Sequence, residues 1–453
     1  MKAARKLRIL QRPQSLIGNL RPFLTPQVWK QARQANPRRR ASPRWDLQPL
    51  VLLMMAMTWA AGDSQAEKFE TARGFYVTCY HARRRPGATI QGFQKALSRI
   101  PMRQLRALAA GVRLEIHARY AQRMLVDGFE PMGCDGSRIE CPRTAELEKR
   151  LGKAGKTDAA PTLWVTAIVH LSTGLLWSWQ LGPGTAAEQV HLRRMLATLS
   201  HRALIVCDAA YMGYDLVQAI LQGRRSFLFR MSSRVHLYTH ERAKLETWSE
   251  GPVLYWPKSV QDEGKPPIAC RLIRIPAKGQ AKRDVWLLTD VLDPARLSVA
   301  TAARFYRWRW RNEGVFRTYK RTINKLKFSS RTVSLVHREA ELSLLATQIL
   351  LAHADLALRP EGPTTKAGEP VISPRKVLIE IRKELEGRVK PRARSYGRRL
   401  EDCRADGRQQ RSLKAIRPWP RRKPHKPPKP PKLHTLNEEQ KVRLGQHIGA
   451  VGQ

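Results

Sequence analysis

Acidic residues are scarce in this chain: 37 Asp and Glu stand against 83 Lys and Arg, a formal net charge of +46 over 453 residues. Solubility needs far less than that. Each phosphate neutralised by a basic side chain releases counterions, so a polyanion is the partner such a surplus favours. A solvated basic surface, as in ribosomal or chromatin proteins, would satisfy the same number. Charge therefore selects nucleic acid over membrane or metabolite without selecting an enzyme. Paired cysteines are missing too. The six thiols, at 79, 134, 141, 207, 270 and 403, include no CxxC pair. That excludes a zinc ribbon and a disulfide framework, and it suits a reducing cytoplasm. No apolar run is long enough for a membrane. The longest, Leu47 to Ala61, falls short of the roughly 20 residues a span requires. It also begins too far along for a standard signal peptide, so it reads as a buried helix. A clean helix-turn-helix and an internal repeat are likewise absent.

What is there divides into five stretches. Residues 1–125 read as a helical basic DNA-binding region, with IQGFQKALSRI and MRQLRALAAGVRLEIHARYAQRML showing apolar spacings of three and four. A basic bundle that packs on the next domain fits that pattern equally. Residues 126–230 alternate apolar runs with turns. MGCDGSRI leads to a hairpin around Ser172, Thr173 and Gly174, then a helix, the strand ALIVCD, another helix and the strand SFLFRM. The order β-β-β-α-β-α-β predicts an α/β fold with a ribonuclease-H-like mixed sheet, its first and fourth strands side by side. Residues 231–295 read as a β-rich insertion, and residues 296–358 as the second part of the core. Residues 359–453 form a basic, partly disordered C-terminal region, because RPWPRRKPHKPPKPPK at 417–432 suits an extended polyproline-like tail.

The chemistry concentrates in YRWRWRNEGVFRTYK. Tyr306, Arg309, Glu313 and Lys320 stand at offsets 0, 3, 7 and 14. On a helix starting near Ser298 and running past Lys320, at about 100° per residue, they share an arc of roughly 60°. An acid, two bases and a tyrosine so aligned point to a phosphate-handling surface rather than a packing stripe. Metal-dependent phosphodiester cleavage needs carboxylates converging on one point. Asp135 on the first strand, Asp208 at the end of the fourth and Glu313 on this helix meet that need, with Asp127 a competitor for the first position. Each also has a structural reading: a turn before glycine, a helix cap, or a surface pair with Arg309 or Arg317.

The spacing Tyr-x2-Arg-x3-Glu-x6-Lys resembles the signature of DDE transposases of insertion sequence family four. CDGSRIE, ALIVCDAAYMGYD and the trailing KLKFSSRTVSLVHREAELSLLATQILLAHADL resemble the segments around the other family residues. The likeness runs over roughly 126–355. It implies Asp135, Asp208 and Glu313 as catalytic ligands of two Mg²⁺ or Mn²⁺ ions, with Tyr306, Arg309, Arg317 and Lys320 against DNA phosphates. It further implies cut-and-paste transposition on double-stranded DNA, that is, transposon terminal repeats and target, by a synaptic homodimer at the bacterial nucleoid. In that family an insertion-domain tryptophan commonly holds a flipped base, for which Trp248, Trp256 and Trp286 are the candidates. A non-catalytic DNA-binding derivative of such an enzyme is the alternative.

Overall fold

The computed structural model describes residues 16–36, 44–80, 85–152, 159–277, 284–356, 373–390, 393–403 and 429–451. Among these residues six helices come first: α1 (Leu16–Leu20), α2 (Pro26–Gln34), α3 (Leu47–Trp59), α4 (Gln65–Cys79), α5 (Ile90–Ser98) and α6 (Met102–Met124). Hydroxyls of Thr25, Ser64 and Thr89 cap α2, α4 and α5 by accepting the backbone N–H three residues on, which satisfies a donor the helix itself leaves open. The apolar run is α3. It is buried on nearly every side, which explains why it has no polar face. No helix among the described residues is long and apolar enough to cross a membrane.

The central region follows as β1 (Glu130–Glu140), α7 (Ala145–Leu151), β2 (Thr162–His170), β3 (Leu175–Pro183), α8 (Glu188–Met195), β4 (Ala203–Cys207), α9 (Tyr214–Gln222) and β5 (Ser226–Arg230). Next come β6 (His236–Thr239), β7 (Glu250–Tyr255), α10 (Lys258–Asp262), β8 (Ile268–Ile275) and β9 (Val285–Thr289). The chain closes with α11 (Val299–Trp308), α12 (Trp310–Arg317), α13 (Val333–Leu356), α14 (Pro374–Leu385), α15 (Tyr396–Glu401), β10 (Lys432–Thr435) and α16 (Glu438–Val451).

All ten of these strands join one mixed sheet, in the order β10-β6-β7-β8-β9-β5-β4-β1-β2-β3. The strands read as an insertion are therefore continuous with the rest, since β9 pairs with both β5 and β8. β4 is wholly buried and runs parallel to β1 and β5; a strand covered on both faces has no polar alternation to show. Its side chains still sort by face. Ala203, Ile205 and Cys207 join the large cluster shared with the N-terminal helices, α8 and α9. Leu204 and Val206 pack with Phe305 and Tyr306 of α11.

Three features lie outside the sequence reading. The helix expected from Ser298 past Lys320 does start at a Ser298 cap, but it is not continuous. It breaks at Arg309, where turns close three residues apart, and it winds as a π-helix over Thr318–Thr322. α14 and α15 add Leu378, Ile381 and Leu400 to the main core cluster. The tail reading at 417–432 falls mostly outside the described residues, but its end becomes β10, which lies parallel to β6 and completes the sheet edge.

Candidate active site

β1 and β4 pair in parallel register, Met132 with Ile205 and Gly133 with Val206. Two residues further along each chain, Asp135 comes level with Asp208 just beyond the end of β4. β1 continues to Glu140 while β4 stops at Cys207, so the aspartates border an open notch in the sheet. By strand alternation both face α11 and α12. Gly133 lets α12 approach: a Cβ there would stand 2.6 Å from both the Asn312 amide and the Leu171 side chain.

Asp208 is the most engaged acid. The Tyr306 hydroxyl donates to its Oδ1 at 3.0 Å, and Arg309 Nη1 lies 3.0 Å from its Oδ2. Arg309 is 6 % exposed. Burial opposes its charge, but Asp208, Tyr306 and Asp135 outweigh this and hold the guanidinium protonated. Burial pushes the Tyr306 phenol up to about 12, with the Asp208 charge adding to the effect. Asp135 accepts the Gly136 N–H at 2.8 Å. Its carboxyl is raised, first by burial and then by Asp208 and Glu313, against the lowering pull of Gly136 and Arg309. Glu313 is exposed and acts on Asp135 through space. Lys320 lies on the π-helical turn, half-buried and with its pKa lowered by burial. Arg317 is exposed on α12.

The structure thus brings Asp135, Asp208, Tyr306 and Arg309 together with Glu313 nearby, and leaves Lys320 and Arg317 farther along. Asp127, the competing first acid, sits in the turn before β1 with a positive φ of 48°. Arg304 and the Thr301 hydroxyl bind its carboxylate, so it is committed elsewhere. The three insertion tryptophans are also committed. Trp256 is fully buried, with its indole N–H on the Lys265 carbonyl; Trp286 is 7 % exposed; Trp248 is half-buried and donates to the Leu272 carbonyl. Among the described residues the exposed tryptophan is instead Trp310, 60 % exposed on α12, with the Arg309 guanidinium 5.2 Å from its ring centroid.

One acid was missed by sequence reading. Glu188, the first residue of α8, has its pKa raised by burial, with Asp135 and Asp208 adding to the rise and Tyr211 opposing it. No local signal marks it, because the acids and the tyrosine that act on it are 20 or more positions away.

Among the described residues no three His, Cys, Asp or Glu side chains are gathered closely enough to hold a metal ion. The donor chemistry nonetheless fits a hard divalent cation, since every acid here offers carboxylate oxygen. A cation already stands there in effect: the Arg309 guanidinium on Asp208.

Comparison with known proteins agrees with this region. Residues 134–349, just under half of the chain, match the family described as Transposase DDE domain. The match supports a DDE transposase. A cryo-EM structure of the piggyBac transposase synaptic complex with hairpin DNA aligns over 88 % of this chain and 87 % of that chain. At 10 % identity and a TM-score of 0.41, that superposition is too loose to define a shared fold. No curated protein matches the chain.

Proposed function

We propose that this protein is a cut-and-paste DNA transposase of the Tyr-x2-Arg-x3-Glu-x6-Lys group, with a ribonuclease-H-like catalytic core. The observation that carries the reading is the β1–β4 register, which sets Asp135 level with Asp208 where β4 ends. Beside them α11 and α12 bring Tyr306 and Arg309 onto Asp208 and Glu313 near Asp135. Sequence-distant acids on one notch, with the Arg309 guanidinium on Asp208, suit a phosphodiester held at an acidic centre.

In this reading Asp135, Asp208 and Glu313 hold Mg²⁺ or Mn²⁺. When bound, two such ions would activate the attacking oxygen and stabilise the leaving one. The protein's own groups do the rest. Arg309, Arg317 and Lys320 bind phosphates of the transposon end, and Tyr306 orients Asp208 through its hydroxyl. The surplus of basic side chains supplies sequence-independent affinity for double-stranded DNA, which falls steeply with salt. Two ends joined in one complex call for a homodimer at synapsis.

The test is Mg²⁺-dependent cleavage of a DNA end taken from the flanks of the protein's own gene, followed by detection of joined products. End binding without cleavage or joining under any divalent cation would move the assignment to a non-catalytic DNA-binding derivative.

Arg309 gives a separate prediction. Its guanidinium holds the position a cation would take on Asp208, and an opposite charge at such range shifts ionic equilibria by about 1–3 log units. Arg309→Gln should therefore bind Mn²⁺ about tenfold more tightly than the parent in the absence of DNA, and bind DNA ends more weakly. Unchanged Mn²⁺ affinity by titration calorimetry would mean that Arg309 and the ion do not compete.

A further inference from the structure

We propose that Arg138 is a phosphate-binding residue for the DNA end, held ready by a platform that the sheet builds under it. The inference deepens the transposase reading above and rests on it.

The platform follows from strand register. Arg138 of β1 and Trp164 of β2 are directly opposed, so both side chains leave the sheet on one face. Asp135 leaves on the other, which keeps Arg138 out of the acidic centre. The indole leans over β1: a Cβ at Gly136 would stand 2.5 Å from Trp164 Nε1, so glycine at that position leaves room for it. The Arg138 guanidinium stacks on the ring, with its Cζ 3.9 Å from the centroid. Its Nε donates to the Gly184 carbonyl at 3.1 Å. Gly184 is crowded in its turn, since a Cβ there would meet Thr162 Oγ1 at 2.2 Å. Two glycines and a tryptophan thus fix both the plane and the anchor of one arginine.

What remains free points to the ligand. Arg138 is exposed, and among the described residues its one hydrogen bond is the one through Nε. Glu188 acts on it only through space. Two uncommitted Nη groups on the outer edge of a fixed guanidinium match two oxygens of a phosphate, which arginine binds through parallel N–H···O bonds. An arginine ordinarily loses rotamer freedom on binding. This one is already ordered, so little of the attraction is offset by that loss. Position brings the DNA. Arg138 stands three residues past Asp135, about 10 Å along the strand at about 3.3 Å each, at the end of the sheet where β4 stops at Cys207. Phosphates of one strand recur about every 3.4 Å of duplex axis, so a strand held at the notch carries its next few phosphates past Arg138.

The experiment uses the full chain and a duplex taken from the flanks of its own gene, titrated at several salt concentrations. Arg138→Gln should weaken binding about tenfold and make the slope of log affinity against log salt shallower by about one. Arg138→Lys keeps the charge but neither stacks nor forks. It should keep the parent slope and lose part of the affinity. End duplexes with a single uncharged methylphosphonate, moved one position at a time, locate the contact. One position should weaken the parent and leave Arg138→Gln unaffected. The Mg²⁺ dependence of cleavage should stay that of the parent, because Arg138 lies outside the acidic centre. An Arg138→Gln protein with the parent's slope and methylphosphonate profile overturns the proposal, and if it still cleaves the end the transposase reading stands. If the parent neither cleaves the end nor prefers it to an unrelated duplex, that reading falls, and the salt slope on the unrelated duplex decides Arg138 by itself.

Discussion

Glu313→Gln is expected to lower end cleavage and joining on the order of a thousandfold, a loss of several kcal/mol of transition-state stabilisation. DNA-end affinity should stay within about twofold, because the arginines and lysines supply that affinity. The side chain keeps its length and its hydrogen-bonding reach, so only the charge is removed. Glu313 is exposed at the rim of the notch and makes none of the core contacts of its neighbours Val315 and Phe316. The unfolding temperature should therefore hold, which separates lost chemistry from lost structure. Cleavage by Glu313→Gln at the parent rate would remove Glu313 from the centre. It would also leave Asp135 and Asp208 without a third acid on that face.

The second large effect is on stability. Glu339→Ala is expected to cost about 3–5 kcal/mol, the range for removing one partner of a buried ion pair. Glu339 lies on α13 with its side chain 2 % exposed, and Lys325 Nζ meets it at 2.6 Å with that side chain 12 % exposed. The same carboxylate accepts the backbone N–H groups of Ser329 and Ser330. Its loss strands one buried ammonium and two backbone donors at once. It also frees the turn that follows Lys320 from α13, so the α12 end of the site should loosen. Burial alone would raise the Glu339 carboxyl. Lys325 and Ser330 overcome that and hold it below the usual carboxylate range. A depressed folded-state value stabilises fully above the ordinary glutamate pKa and is lost as pH falls through the folded one. The parent should thus lose this contribution only in acid, and Glu339→Ala should lack that part of the acid transition. Urea unfolding across pH 3–7 reads both, and a stability difference below about 1 kcal/mol at neutral pH would show that Lys325 finds another partner. Replacing Lys325 and Glu339 together with Met and Leu should recover much of the loss, because no charge is then left buried alone.

The helical N-terminal stretch, the buried run at Leu47–Trp59, the hairpin at Gly174 and the alternation of strands and helices from β1 to β5 were legible from residue order. They rest on local rules: apolar period, capping hydroxyls and turn residues, each set within a few positions. The sequence by itself determined that Asp135 and Asp208 stand on neighbouring strands, since the order of elements constrains which strands can pair. It also determined the spacing of Tyr306, Arg309, Glu313 and Lys320. Only the tertiary structure decided what these side chains face. The helix breaks at Arg309 and winds wider at Thr318–Thr322, so uniform rotation per residue does not hold along it, and Arg309 and Tyr306 turn onto Asp208. Packing likewise buried Trp256 and Trp286, set Glu188 over Gly136 and docked β10 on β6. These outcomes depend on partners tens to hundreds of residues away. No local pattern carries that information; it arises when the sheet closes and excluded volume allows one arrangement of side chains around the notch.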